Sequence, residues 1–150
     1  MKYAKVAMIG AGFMSGSLAL ELHERRLVGG IWAVARDDAR AAELMNLGIF
    51  DEVKADFESV VRDADVIVLA TPVRAMEQQI VRLESYLTSH PDADPLVIDI
   101  GSTKVQVNDW VRSHGSRRLC RCFVGSHPLC GSEKQGAQHA VKGLYDRAMC

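Results

Sequence analysis

No stretch of the 150 residues approaches the roughly 20 apolar positions a membrane span needs. A secretory leader is missing too, because Met1-Lys2-Tyr3 runs directly into the first apolar segment. The expected location is therefore the cytoplasm, with no membrane partner. Net charge is nearly absent: 18 Lys and Arg against 19 Asp and Glu leave −1, which gives no reason to expect nucleic acid or an acidic membrane surface as partner. The one local excess, Arg117, Arg118 and Arg121, reads as a solvated helix end. Cysteine is scarce, and its four residues are expected to be thiols in a reducing compartment. Cys120-Arg121-Cys122 has neither the spacing nor the second pair of a zinc site, so no metal is expected, and alternation along a strand accounts for it. Repeats, linkers and low-complexity tracts are also missing, which leaves a single domain with a sizeable core.

Short apolar runs alternating with helical patterns fill that domain. Lys5 to Ile9 reads as a strand, Gly10-Ala11-Gly12 as a turn, and residues 13 to 27 as a helix whose apolar face is Met14, Leu18, Leu22 and Leu27, ended by Val28-Gly29-Gly30. Ile31 to Ala35 reads as a buried strand, followed by a helix over 38–47 that Asp37 or Asp38 caps and Gly48 stops. Further strands are expected at 49–53, 66–70, 96–100 and 121–125, with helices at 57–62, 73–87 and 104–113 and helical character from about Glu133. This alternation predicts an α/β fold: a doubly wound parallel sheet with right-handed crossovers.

The first turn predicts the ligand class. Gly10 permits a tight turn, Gly12 lets the backbone approach a pyrophosphate, and the amides of Phe13 and Met14 at the helix start hold its charge. Ser15 stands where a dinucleotide fingerprint has its third glycine, with Gly16 one step later; serine is small enough for the packing that glycine serves. Such folds bind ligands outside the carboxyl ends of the strands. About 24 residues past Gly12, where NAD-binding proteins place an acid, stand Ala35 and Arg36. A guanidinium there suits a 2′-phosphate, so the expected cofactor is NADP, with NAD as second choice through Asp37 or Asp38. Thr71 and Pro72 follow the fourth strand, Gly101 and Ser102 the fifth, and His127 the sixth, bringing a hydroxyl and an imidazole to one rim.

In that order and spacing, Ile9-Gly10-Ala11-Gly12, Ala70-Thr71-Pro72-Val73, Asp99-Ile100-Gly101-Ser102-Thr103-Lys104 and His127-Pro128-Leu129-Cys130-Gly131-Ser132-Glu133 resemble the prephenate and arogenate dehydrogenases of tyrosine biosynthesis. The resemblance covers Val6 to about Tyr145 and implies a Rossmann-type NAD(P)-binding domain. It also implies oxidative decarboxylation of a small cyclohexadienol, with His127 and Ser102 as catalytic residues and Lys104 behind them. Gly10, Gly12, Phe13, Met14, Ser15, Arg36, Thr71, Pro72 and Gly101 are the cofactor residues expected. Leu129-Cys130 departs from the Met-Ala often found in the histidine loop, and Cys130 is expected to be a small buried thiol. Residues 1–150 are expected to form the cofactor domain alone, stopping before the family's last strand and the helical domain through which the full-length enzymes pair as homodimers.

Overall fold

The computed structural model describes residues 2–150. In chain order the elements are β1 (Tyr3–Ile9), α1 (Phe13–Glu24), β2 (Val28–Val34), α2 (Asp38–Met45), β3 (Glu52–Lys54), α3 (Phe57–Val61), β4 (Val66–Leu69), α4 (Val73–Ser89), β5 (Leu96–Asp99), α5 (Lys104–His114), α6 (Arg117–Cys122) and β6 (Phe123–Gly125). The strands form one sheet in the order β3-β2-β1-β4-β5-β6, and every neighbouring pair is parallel. This is the doubly wound Rossmann arrangement the alternating pattern predicts.

Burial of both faces of the sheet explains why its central strands are continuously apolar. In β1, Val6 and Met8 face a core shared with α1 and α2, while Ala7 and Ile9 face a second core shared with α3, α4 and α5. Of the two caps the sequence offered for α2 it is Asp37 that serves, accepting the Arg40 N–H at 2.7 Å; α3 is started in the same way by Asp56, which accepts the Ser59 N–H at 3.0 Å. Gly48, with φ of +65°, closes the region after α2.

Several boundaries differ from expectation. Gly29 and Gly30 lie inside β2 and do not end α1, because β1 approaches so closely that a Cβ on Gly29 would stand 2.6 Å from the Ala4 carbonyl oxygen. The third strand is shifted to Glu52–Lys54, and Ile49 and Phe50 are buried beside Leu44 in the core instead of pairing. α1 buries Phe13, Ser15, Gly16, Ser17, Ala19 and Glu21, whereas Met14, Leu18 and Leu22 are only half-buried and Leu27 lies beyond the helix. Gly16, Ser17 and Glu21 are buried under the last part of the chain, which packs on the side of α1 away from the sheet, a partner that an apolar-periodicity reading cannot see.

Cys120-Arg121-Cys122 belongs to α6 and not to a strand. The Ser116 hydroxyl accepts the Leu119 N–H at 3.4 Å and starts the helix there, which leaves only Phe123–Gly125 for β6. From Glu133 onward the described chain contains one 3-10 turn, Ala137–His139, and a run of turns over 142–147, with no α-helix. Its amides are claimed from outside: the Val141 N–H donates to the Ser17 hydroxyl at 3.1 Å and the Gly143 N–H to the Glu21 carboxylate at 3.1 Å. Those bonds replace the ones a helix would have made.

Candidate dinucleotide and catalytic site

β1 lies at the centre of the sheet, between β2 and β4, and the chain leaves β1 and β4 toward opposite faces. The crevice that opens there is the usual ligand position of such sheets. Gly10 is obligatory on this edge: its φ is +108°, and a Cβ would stand 2.8 Å from the carbonyl carbon and oxygen of Ala70. Gly12 is the N-cap of α1, and a Cβ on it would meet nothing within 4 Å, so its backbone is open to a ligand. Ser15 points the other way. Its buried hydroxyl accepts the Gly12 N–H at 2.8 Å and donates to the Gly12 carbonyl at 3.3 Å, fixing the turn from inside.

Why a glycine follows at position 16 is also visible. A Cβ there would lie 2.9 Å from the Ala140 side chain, so Gly16 admits the chain segment that crosses α1. The close-packing requirement has moved one residue along the helix, from its sheet side to its outer side.

A cavity of about 770 Å³ spans the carboxyl rim. It brings together Gly12, Phe13 and Met14 from the start of α1, Thr71 and Pro72 after β4, Gly101 and Ser102 after β5, and His127 after β6. Gly10, Ser15 and Arg36 are outside its lining, the first two beneath the turn and Arg36 beyond the end of β2. The loop from Pro128 to Gly136 supplies the remaining wall, including Cys130 and Lys134, which sequence reasoning did not place there. Thr71 Oγ1 is buried in this wall, and among the described residues it is the one buried side-chain polar atom without a partner. An open glycine backbone at a helix start, an unpartnered hydroxyl and one lysine fit a phosphate-bearing ligand with hydroxyl groups. No cluster of three metal-ligating side chains occurs among the described residues.

At the end of β2, Ala35 is buried and the Arg36 side chain is exposed, with Nε 3.1 Å from the Asp37 carboxylate. Asp37 is thus engaged twice, by Arg36 and as the cap of α2.

Asp99 and Ser126 are the residues the sequence reading missed. Asp99 is fully buried at the end of β5, and its carboxylate accepts Lys104 Nζ, the Gly101 N–H at 3.0 Å and the Ser126 N–H at 3.2 Å. The Ser126 hydroxyl donates to the Asp99 carbonyl at 2.6 Å, and Lys104 Nζ also reaches the Ser126 carbonyl at 2.5 Å. One node therefore joins the two loops carrying Ser102 and His127. Its signal in the sequence was an aspartate ending an apolar strand with a lysine five positions later. Lys104 sits behind the site, as the resemblance implied.

Cys130 is half-buried, and loss of hydration pushes its thiol pKa up, so the thiolate is disfavoured. Burial also pushes up the phenol of Tyr145, whose hydroxyl donates to the Met14 carbonyl at 2.9 Å.

Sheet order, glycine turn and rim cavity together define a Rossmann-type nucleotide-binding domain. Residues 18–150 match the family model described as "Prephenate dehydrogenase, nucleotide-binding domain". The chain belongs to this prephenate dehydrogenase family. Prephenate dehydrogenase of Bacillus subtilis is 33% identical over 143 residues, covering 95% of this chain and 37% of that protein. The crystal structure of Aquifex aeolicus prephenate dehydrogenase with hydroxyphenyl propionate and NAD+ superimposes with a TM-score of 0.82 at 29% identity, over 99% of this chain and 49% of that one. Synechocystis arogenate dehydrogenase gives 0.77 at 25% identity, over 96% and 48%. The chain thus spans about half or less of the length of these relatives.

Proposed function

We propose that this chain supplies the cofactor-binding and proton-accepting part of a dehydrogenase that oxidatively decarboxylates prephenate or arogenate. The observation that carries the reading is the single cavity that puts Ser102 and His127, from two different loops, over the first turn of α1. A bound oxidised nicotinamide supplies the hydride acceptor for the hydroxyl-bearing ring carbon. His127 takes the hydroxyl proton as the carbon–oxygen double bond forms, a role that suits imidazole near neutral pH. Pro128 restricts His127 to extended backbone and so holds the ring on the rim. Ser102 hydrogen-bonds the same oxygen and orients it toward the imidazole. The bond to the departing carboxylate then breaks and carbon dioxide leaves; the electron pair passes through the ring onto the carbonyl oxygen, which takes a proton back from the His127 imidazolium, and the ring is released as an aromatic phenol.

The amides of Phe13 and Met14 would hold the pyrophosphate, which Gly12, bare of a side chain, would let approach; Gly10 and Ser15 shape that turn, and Thr71, Pro72 and Gly101 would lie on the nicotinamide side. Thr71 Oγ1, which has no partner within the described chain, would be free to bond a ribose hydroxyl. For the adenosine end we favour NADP: Arg36 follows the end of β2 with its side chain exposed and only its Nε engaged, and Asp37, the alternative acceptor for ribose hydroxyls, is already bonded on both oxygens. The NAD+ held by the Aquifex relative supports the second reading, NAD.

The test is an assay of the whole gene product with prephenate and arogenate, each with NAD and NADP. Turnover of either cyclohexadienol is expected, with kcat lowered about 10²- to 10⁴-fold by His127→Asn while cofactor affinity is kept. Turnover of an imine or a hydroxy acid instead, with neither cyclohexadienol accepted, would assign the fold to a different reductase.

A further inference from the structure

The segment that follows the histidine loop leaves it at Cys130, crosses the outer side of α1, and returns at Met149, whose carbonyl accepts the Leu129 N–H at 2.7 Å. Along α1 it is held by a polar stripe. Ser17 accepts from the Val141 N–H, Glu21 from the Gly143 N–H, and Arg25 bonds both Glu21 and Asp146. These ties lie at the middle and far end of the helix, away from the cavity. Among the described residues Tyr145 makes the hydrogen bond of this strap nearest the cavity, to the carbonyl of Met14, a cavity-lining residue. The Met14 sulfur in turn lies 3.9 Å from where a Cβ on Gly131 would stand, so this side chain faces the loop that carries His127.

We propose that Tyr145 is a positioning residue for the dinucleotide site. Through Met14, its phenol sets the separation between the start of α1 and the histidine loop, the gap that a nicotinamide ring must enter. The proposal rests on the dinucleotide reading above. Fixing that gap beforehand removes an ordering cost from binding, so the effect is read as affinity for the intact dinucleotide. A fragment that ends before the nicotinamide does not enter the gap and is insensitive to it.

The experiment compares NAD(P)H and ADP-ribose binding by wild type, Tyr145→Phe and Ser17→Ala, together with their melting temperatures. For Tyr145→Phe, the Kd for the dinucleotide should rise about fivefold, the equivalent of one neutral hydrogen bond of about 1 kcal/mol, and that for ADP-ribose by less than about twofold. Ser17→Ala loosens the same strap one turn further along the helix, at a residue outside the cavity lining; it should lower Tm yet leave both affinities within about twofold of wild type. An unchanged dinucleotide Kd for Tyr145→Phe overturns the proposal, and so does an equal loss for both ligands, which would mark general loosening. Wild-type protein that binds neither ligand overturns the dinucleotide reading itself, and the positioning role with it.

Discussion

Replacing Lys104 by Met is the most direct probe of how the site is held together. The Asp99 carboxylate is fully buried, and Lys104 is the cation bonded to it; the remaining donors are the Gly101 and Ser126 amides. Removing one member of a buried pair leaves an uncompensated charge, at a cost of about 3–5 kcal/mol. Because 27% of the Lys104 side chain is still exposed, water screens part of the loss, so the low end, about 3 kcal/mol, is expected. For a domain of this size each kcal/mol lowers Tm by about 2–4 °C, so the melting temperature should fall by about 6–12 °C. Asp99→Asn alone should destabilise as well, since it strands the ammonium. The double variant should lie closer to wild type than the sum of the singles, with a coupling above about 1 kcal/mol. Thermal and urea unfolding of the four proteins measure this. A Lys104→Met protein within about 0.5 kcal/mol of wild type, with additive behaviour in the double variant, would refute the node as the link between the loops that carry Ser102 and His127.

Three other expectations follow from individual contacts. Arg36→Asp should weaken NADP binding far more than NAD binding in paired titrations, because it replaces a bidentate phosphate partner by a repelling charge; equal losses would remove Arg36 from the adenosine end. Gly16→Ala places a methyl 2.9 Å from the Ala140 side chain and should cost about 1–3 kcal/mol in chemical denaturation, unless the strap can move away. The Arg25 guanidinium, followed by the Gly143 N–H, holds the Glu21 carboxyl below its ordinary pKa of 4.5. Its stabilisation is therefore present above pH 4.5 and lost as pH falls through the lower folded value. Melting temperature against pH should show this acid-side loss, and Glu21→Gln should flatten it.

Much of this architecture was legible because strands buried on both faces leave an unambiguous apolar run. Val66 to Leu69 and Leu96 to Asp99 fall within one residue of their expected limits. The rim residues followed from the rule that ligands gather at strand ends, and Gly12, Thr71, Ser102 and His127 do meet in one cavity. What escaped reading was set by contacts distant in sequence. The buried face of α1 is small and polar because the last part of the chain crosses its outer side. Nothing local to Ser17 or Glu21 announces a partner more than 120 residues away. The α6 helix was hidden because a short segment such as Arg121 to Gly125 alternates equally well in either state, and the Ser116 cap decided it.

Pairing across the sheet is unequal, and this bears on the order in which the molecule opens. β1 is bonded along both sides, whereas β6 holds one neighbour over Phe123, Val124 and Gly125, with Val124 exposed. Amide protons on β6 should exchange long before those on β1, because so short an outer strand can detach while the interior stays closed. Ser126 and His127 are carried directly on that outer strand. Within this chain the imidazole end of the site thus hangs on a strand with one neighbour, and the glycine turn on a strand with two.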